Sequence, residues 1–173
     1  MMTPINVNEP VSGSFRDPSG FVFRRDGTLY RQVNNLYAEH YDVLMQSGLY
    51  EHLVGKGWLI AHEEVSDTLA AKSNAYKVLQ PQQVPFISYP YEWSFGQIQD
   101  AALLTLKIQG AALKHGMILK DASAYNIQFV DGRPVFIDTL SFERYIEGQP
   151  WIAYCQFCQH FLAPLALAHY KDI

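Results

Sequence analysis

The stretch from His115 to Asp138 constrains this chain more than any other. It reads His-Gly-Met-Ile-Leu-Lys-Asp-Ala-Ser-Ala-Tyr-Asn-Ile-Gln-Phe-Val-Asp-Gly-Arg-Pro-Val-Phe-Ile-Asp. Asp131-Gly132 stands between two apolar runs, and a two-residue connection of this kind demands positive φ, which Asp tolerates and Gly favours. A hairpin follows, with strands predicted at 126–130 and 134–138. Ahead of it, Ser94 and Gln97 form the S-x-x-Q pattern of a capping box, which opens a long apolar helix over about 95–115 that Gly116 ends. Between helix and hairpin lies a short loop carrying Asp121 and Asn126, five positions apart, and Asp138 follows Asn126 by twelve.

The remaining organisation is coarser. Residues 1–19 carry Pro4, Pro10, Gly13 and Pro18 and read as an irregular arm. Residues 20–93 are expected to form a small sheet lobe with one helix. Asp26-Gly27 turns a hairpin over 20–33, and a helix over 35–46 sets Leu36, Tyr37, His40, Tyr41, Leu44 and Met45 in one stripe, capped by Asn34 or Asn35. A short turn runs through Leu53, and strands are expected at 58–65, 76–80 and 84–93. Pro85 and Pro90 make the last an edge or irregular strand. Residues 94–173 form a helical lobe around the loop and hairpin, with the boundary near 91–96. An aromatic helix from Trp151 to about Tyr170 closes it, kinked or split by Pro164.

Composition narrows the classes. Hydrophobic residues are 49% and charged residues 17% of 173, which excludes bulk disorder and allows a real core. Lys and Arg number 13 against 17 Asp and Glu, a net charge of −4, so a chain that coats phosphate backbones is not indicated and nucleic acid is not an expected partner. No run approaches the ~20 apolar residues of a membrane helix. The opening Met-Met-Thr-Pro-Ile-Asn-Val-Asn lacks the basic-then-apolar order of a secretion signal. A cytoplasmic protein without membrane contact is the expectation, and two cysteines make no disulfide scaffold.

The helix, the loop D-x-x-x-x-N and the hairpin ending Phe136-Ile137-Asp138 resemble the catalytic segment of the protein-kinase-like superfamily. The resemblance spans about residues 13–170 and implies an α+β, kinase-like fold: a small antiparallel sheet lobe, then a mostly helical lobe, truncated at its C-terminal end. Phosphoryl transfer requires Mg²⁺ and an acceptor hydroxyl held in line with the γ-phosphate of ATP. The resemblance makes Asp121 the base that orients that hydroxyl, with Asn126 and Asp138 the metal ligands. It makes Arg31 and Glu39 a phosphate-positioning pair, Arg31 standing at the strand position where the family has Lys. The bland alternative gives Asp121, Asn126 and Asp138 the ordinary turn-capping work of such residues; Glu39 alone reads equally as a solvated helix-face carboxylate.

Several positions depart from the family pattern. No G-x-G-x-x-G exists; Gly13 and Gly20 flank Ser-Phe-Arg-Asp-Pro-Ser instead. Arg31 can grip phosphate bidentately but does not substitute freely for Lys. Leu119 and Ser123 flank Asp121 where protein kinases carry His and Lys, and Asp-Phe-Gly becomes Asp138-Thr139-Leu140. The loop is thus closer to small-molecule kinases, and a small-molecule hydroxyl is the expected substrate.

Leu119-Lys-Asp-Ala-Ser-Ala-Tyr-Asn-Ile-Gln-Phe129 and Pro134-Val-Phe-Ile-Asp-Thr-Leu-Ser-Phe-Glu143 also look like the N-terminal region of bacterial proteins described as S-adenosylmethionine-dependent methyltransferases. The poor glycine loop, Arg31 and the missing C-terminal helices then favour an alternative, a catalytically silent kinase-like module that binds a ligand or a partner for an attached C-terminal domain. Methyl transfer would then lie outside these residues. The apolar segment Phe157–Leu167 calls for a partner, either more of the same polypeptide or a second copy in a homodimer. Cys155-Gln-Phe-Cys158 lacks a second ligand pair for zinc and reads as two buried thiols. Phe86, Tyr89, Tyr91 and Trp93 read as edge-strand packing, or as the adenine side of a kinase cleft.

Overall fold

The computed structural model describes residues 9–11, 14 and 17–171; the rest of the expected N-terminal arm lies outside the described residues. The chain is α+β, as the sequence led us to expect, with an antiparallel sheet followed by mostly helical structure. It divides into two compact units. One takes the residues up to Tyr41 together with Ala61–Gln83, the other Asp42–Ile60 together with the residues from Val84 onward.

The first unit is a five-stranded antiparallel sheet in the order β1-β2-β3-β5-β4. Its strands are β1 (Glu9–Pro10), β2 (Gly20–Arg25), β3 (Thr28–Asn34), β4 (His62–Val65) and β5 (Ala75–Pro81). Asp26 and Gly27 turn the β2–β3 hairpin at φ 51° and 77°, the left-handed geometry that matches strand twist. Phe21, Phe23 and Val78 form its buried core, with Tyr30, Val65 and Leu69 packed against them. Gln32 is fully buried and fully used: its amide donates to Asn34 Oδ1 and Asn74 Oδ1, and its oxygen accepts from the backbone N–H of Ala71 and Lys72. Asn34 precedes a short 3-10 turn, Asn35–Tyr37, and α1 (Ala38–Gln46), but its side chain does not cap them. It donates instead to the Pro18 carbonyl at 3.0 Å, a tertiary partner that outcompetes the local one.

The second unit is built around α3 (Phe95–Lys114). Ser94 Oγ accepts from Gln97 N–H at 3.4 Å, and Gln97 Oε1 accepts from Ser94 N–H at 3.0 Å, so the capping box forms as read. Gly116, at φ 72°, lets the chain leave the helix and enter β6 (Met117–Leu119). β6 pairs antiparallel with β9 (Phe142–Arg144), and β7 (Ile127–Val130) pairs antiparallel with β8 (Arg133–Phe136) across Asp131 and Gly132, both at positive φ. Leu104, Ile108, Met117, Leu119, Ile127, Phe136, Phe142, Phe157 and Phe161 form one buried core. The antiparallel sheet comes first, and α3, the loop and the β7–β8 hairpin follow, in the order expected from the sequence.

Four expectations are corrected. The apolar run 58–65 is not one strand: only His62–Val65 joins the sheet, while Trp58 and Ile60 bond to both sides of Phe136 at 2.9 and 2.8 Å. Residues 49–55 make a helix, α2 (Leu49–Gly55), because Leu49 and Leu53 fall on one buried face. No strand forms at 84–93; Pro85 and Pro90 have no N–H for a ladder, and the segment ends in a 3-10 turn at Pro90–Glu92. The C-terminal helix is split, as Pro164 led us to expect, into α4 (Tyr154–Phe157), a widened π segment (Cys158–Leu162) and α5 (Ala163–Lys171). Pro164 cannot donate to the carbonyl of His160 four residues back, which favours the split there. Its thiols are not both buried, Cys155 being exposed and Cys158 half-buried. Among the described residues no helix is long and apolar enough to cross a membrane.

Candidate functional site

Asp121, Asn126 and Asp138 all belong to the second unit. Asp121 follows β6 on the connection to β7, half-buried, and its Oδ1 accepts from Ser123 N–H at 2.9 Å. Ser123 continues the turn, its Oγ accepting from Tyr125 N–H at 3.2 Å and its carbonyl from Asn126 N–H at 3.1 Å. The loop is also held from outside. Gln156 Oε1, in α4, accepts from Ala122 N–H at 2.6 Å, and His160 Nδ1, in the π segment, accepts from Ala124 N–H at 3.3 Å. Every backbone donor from Ala122 to Asn126 thus has a named acceptor, so the loop's shape is fixed by hydrogen bonds rather than by packing alone.

Asn126 leads into β7, its carbonyl accepting from Ile137 N–H at 2.8 Å across the hairpin. Asp138 stands just past the end of β8, where its Oδ1 accepts from Leu140 N–H at 3.1 Å and caps the 3-10 turn Thr139–Ser141. The bland reading of both acids is therefore realised, each carboxylate accepting a backbone N–H within its own turn. A third residue joins the two metal-ligand candidates. Ser141, fully buried, donates its hydroxyl to Asp138 Oδ2 at 2.6 Å and accepts from Asn126 Nδ2 at 3.2 Å. Its carbonyl also takes Lys120 N–H at 2.8 Å, tying β6 to the same point. Sequence reading missed Ser141, since no motif marks it and Asp138-Thr139-Leu140 registers only as a departure from the family pattern.

The donors so gathered are hard oxygens, one amide and carboxylates, with no thiolate or imidazole among them. That chemistry fits Mg²⁺, which binds through one or two protein oxygens and completes its shell with phosphate and water. Among the described residues no group of three or more His, Cys, Asp or Glu could hold a metal by itself.

The other two candidates lie in the first unit. Arg31 is half-buried in β3, between Val22 of β2 and Leu79 of β5 in register. Glu39 is exposed in the first turn of α1. Tyr41, in the same helix and almost wholly buried, reaches the sheet, its hydroxyl donating to Glu64 Oε1 at 3.0 Å. His62 Nε2 lies 3.1 Å from the Tyr41 hydroxyl oxygen, whose proton goes to Glu64, so the His62 N–H is the donor there and the neutral ring carries its proton on Nε2. Burial lowers the His62 pKa to about 4; the Arg31 charge acts in the same direction and Glu64 opposes it. Burial pushes the Glu64 carboxyl up, but hydrogen bonds from Lys77, at 2.7 Å, and Tyr41 outweigh it and leave it below the usual range. This Tyr41–His62–Glu64–Lys77 network was not visible in sequence, because its members sit on three separate elements.

Of the aromatic segment, Trp93 is buried against Phe129 and donates from Nε1 to Ser88 Oγ at 2.9 Å. Gln128 of β7 accepts from Ser88 N–H and donates to its carbonyl, at 2.9 and 3.0 Å. Phe86, Tyr89 and Tyr91 stay exposed, the two tyrosine rings stacked 5.4 Å apart, so the expected edge-strand packing is not what these side chains do.

The chain matches no model of a known protein family. It is similar to the nodulation protein NoeA of Rhizobium meliloti (strain 1021), with 39% identity over 165 residues, covering 94% of this chain. The chain spans 34% of the length of that relative. Among solved structures it is similar to vaccinia related kinase 3, with 12% identity and a TM-score of 0.47, over 84% of this chain and 53% of that one.

Proposed function

We propose that this domain is an ATP- and Mg²⁺-dependent phosphotransferase acting on the hydroxyl of a small molecule. The observation that carries the reading is the linkage of Asn126 to Asp138 through Ser141, beside a loop that presents Asp121. Asn126 Oδ1 and the Asp138 carboxylate would hold the metal. Bound there, Mg²⁺ would neutralise the charge of the phosphate oxygens during transfer. Asp121 would orient the acceptor hydroxyl and take its proton, using a lone pair not committed to Ser123 N–H. Asp138→Asn tests the reading by calorimetry with Mg-ATP: binding is expected to vanish, and unchanged affinity would contradict the assignment.

A second reading has its own support. Arg31 in place of Lys, the absence of a Gly-rich loop and the Asp138-Thr139-Leu140 sequence suit a catalytically silent module. Such a module would bind a ligand or serve an attached methyltransferase domain, and the chain's 34% share of its relative's length leaves room for one there. Mg-ATP binding without phosphate transfer to any of a panel of small alcohols and amino sugars would favour it.

A further inference from the structure

We infer that Ser141 is the positioning residue that sets which face of the Asn126 amide is turned toward the metal, an assignment that rests on the phosphotransferase reading. An Asn side chain offers one oxygen and one NH₂, and only the oxygen can bind a hard cation. Nothing in the covalent structure prevents the amide from turning over. Here the hydroxyl of Ser141 decides the matter. A serine has a single hydroxyl proton, and Ser141 gives it to Asp138 Oδ2, a carboxylate oxygen 2.6 Å away that can only accept. What Ser141 then offers Asn126 is a lone pair, and that calls for a donor, so Nδ2 faces the hydroxyl at 3.2 Å and Oδ1 faces away. Turned over, the amide would set its oxygen against a hydroxyl oxygen whose proton is already committed, leaving a repulsive contact beside a fully buried atom. One hydroxyl therefore orients the amide and braces the carboxylate together.

The relay is fixed at its other end too. Ser141 lies in the 3-10 turn that Asp138 caps, and its own carbonyl is bound by Lys120 N–H at 2.8 Å, next to Asp121. Its hydroxyl thus has little freedom to swing away, and the positions of the base candidate and of both metal-ligand candidates share one anchor.

Two readouts test this on the purified chain. In metal-free protein, ¹⁵N NMR of the Asn126 side chain is expected to show one Nδ2 proton protected from solvent exchange, lost in Ser141→Ala and kept in Ser141→Thr. With Mg²⁺ and ADP as the probe, Ser141→Ala is expected to weaken binding about 10- to 100-fold, the usual effect of removing a ligand-orienting hydrogen bond. Asn126→Asp supplies the decisive background, because a carboxylate presents oxygen either way up. Most of the loss caused by Ser141→Ala is expected to disappear there, whereas a merely structural serine would cost the same affinity in both backgrounds. Equal losses in the two backgrounds, or wild-type affinity in Ser141→Ala, would overturn the assignment. If the wild-type chain bound no Mg-ADP, the phosphotransferase reading itself would fall, and the role toward a metal with it; the amide signal would still report separately whether Ser141 orients Asn126.

Discussion

The Ser141 hydroxyl and the His62 ring show how single atoms set the chemistry of each unit. In the first unit, burial holds His62 neutral down to about pH 4, while an unfolded chain would take up that proton near 6.5. The folded state therefore binds fewer protons between those values, and its stability is complete above pH 6.5 and falls as the pH drops toward 4. A shift of this size corresponds to roughly 3 kcal/mol. Chemical denaturation at pH 7 and pH 4.5 is expected to show that loss in the wild type and a much flatter profile in His62→Gln; equal slopes would contradict the burial of the ring. In the second unit, Asp121→Asn is expected to leave Mg-ATP affinity within a few-fold of wild type and to remove phosphate transfer, since the proposed function gives Asp121 the acceptor's side of the reaction. Loss of nucleotide binding instead would move Asp121 into the metal site.

At the scale of elements, punctuation was legible and tertiary competition was not. Ser94-x-x-Gln97, Gly116 and the two Asp-Gly pairs are local instructions, and α3 and both hairpins formed where those instructions stand. Ser94→Ala is expected to cost about 1 kcal/mol, measurable as a lower denaturation midpoint with an unchanged slope. Gly132→Ala, at φ 74°, is expected to destabilise by about 1 kcal/mol or more through backbone strain, there being open space for the added methyl. By contrast, β6 and β9 are three residues each, too short for any alternation to show, and they exist because they find one another. Trp58 and Ile60 left the expected strand to bond with Phe136, a choice that depends on where β8 lies. The candidate site divides in the same way. Asp121, Asn126 and Asp138 stood out through the resemblance that their spacing carries, but Ser141, Gln156 and His160 act through contacts 34 or more residues away or through a turn that only the fold defines.

For the whole molecule, the central claim is that the second unit holds a metal–nucleotide site rather than three independent turn caps. In the proposed function the departures at Arg31 and after Asp138 bear on catalysis, whereas the Asn126 and Asp138 side chains joined through Ser141 bear on binding, which can be measured without knowing the acceptor. The most direct measurement is the thermal stability of the 173-residue chain with Mg-ATP, with ATP and EDTA, and with S-adenosylmethionine. A ligand at ~100 times its dissociation constant adds ~2.7 kcal/mol to the folded state. The account predicts a clear upward shift with Mg-ATP that EDTA removes and that Asp138→Asn lacks. An unchanged melting temperature with Mg-ATP at millimolar concentration would contradict it.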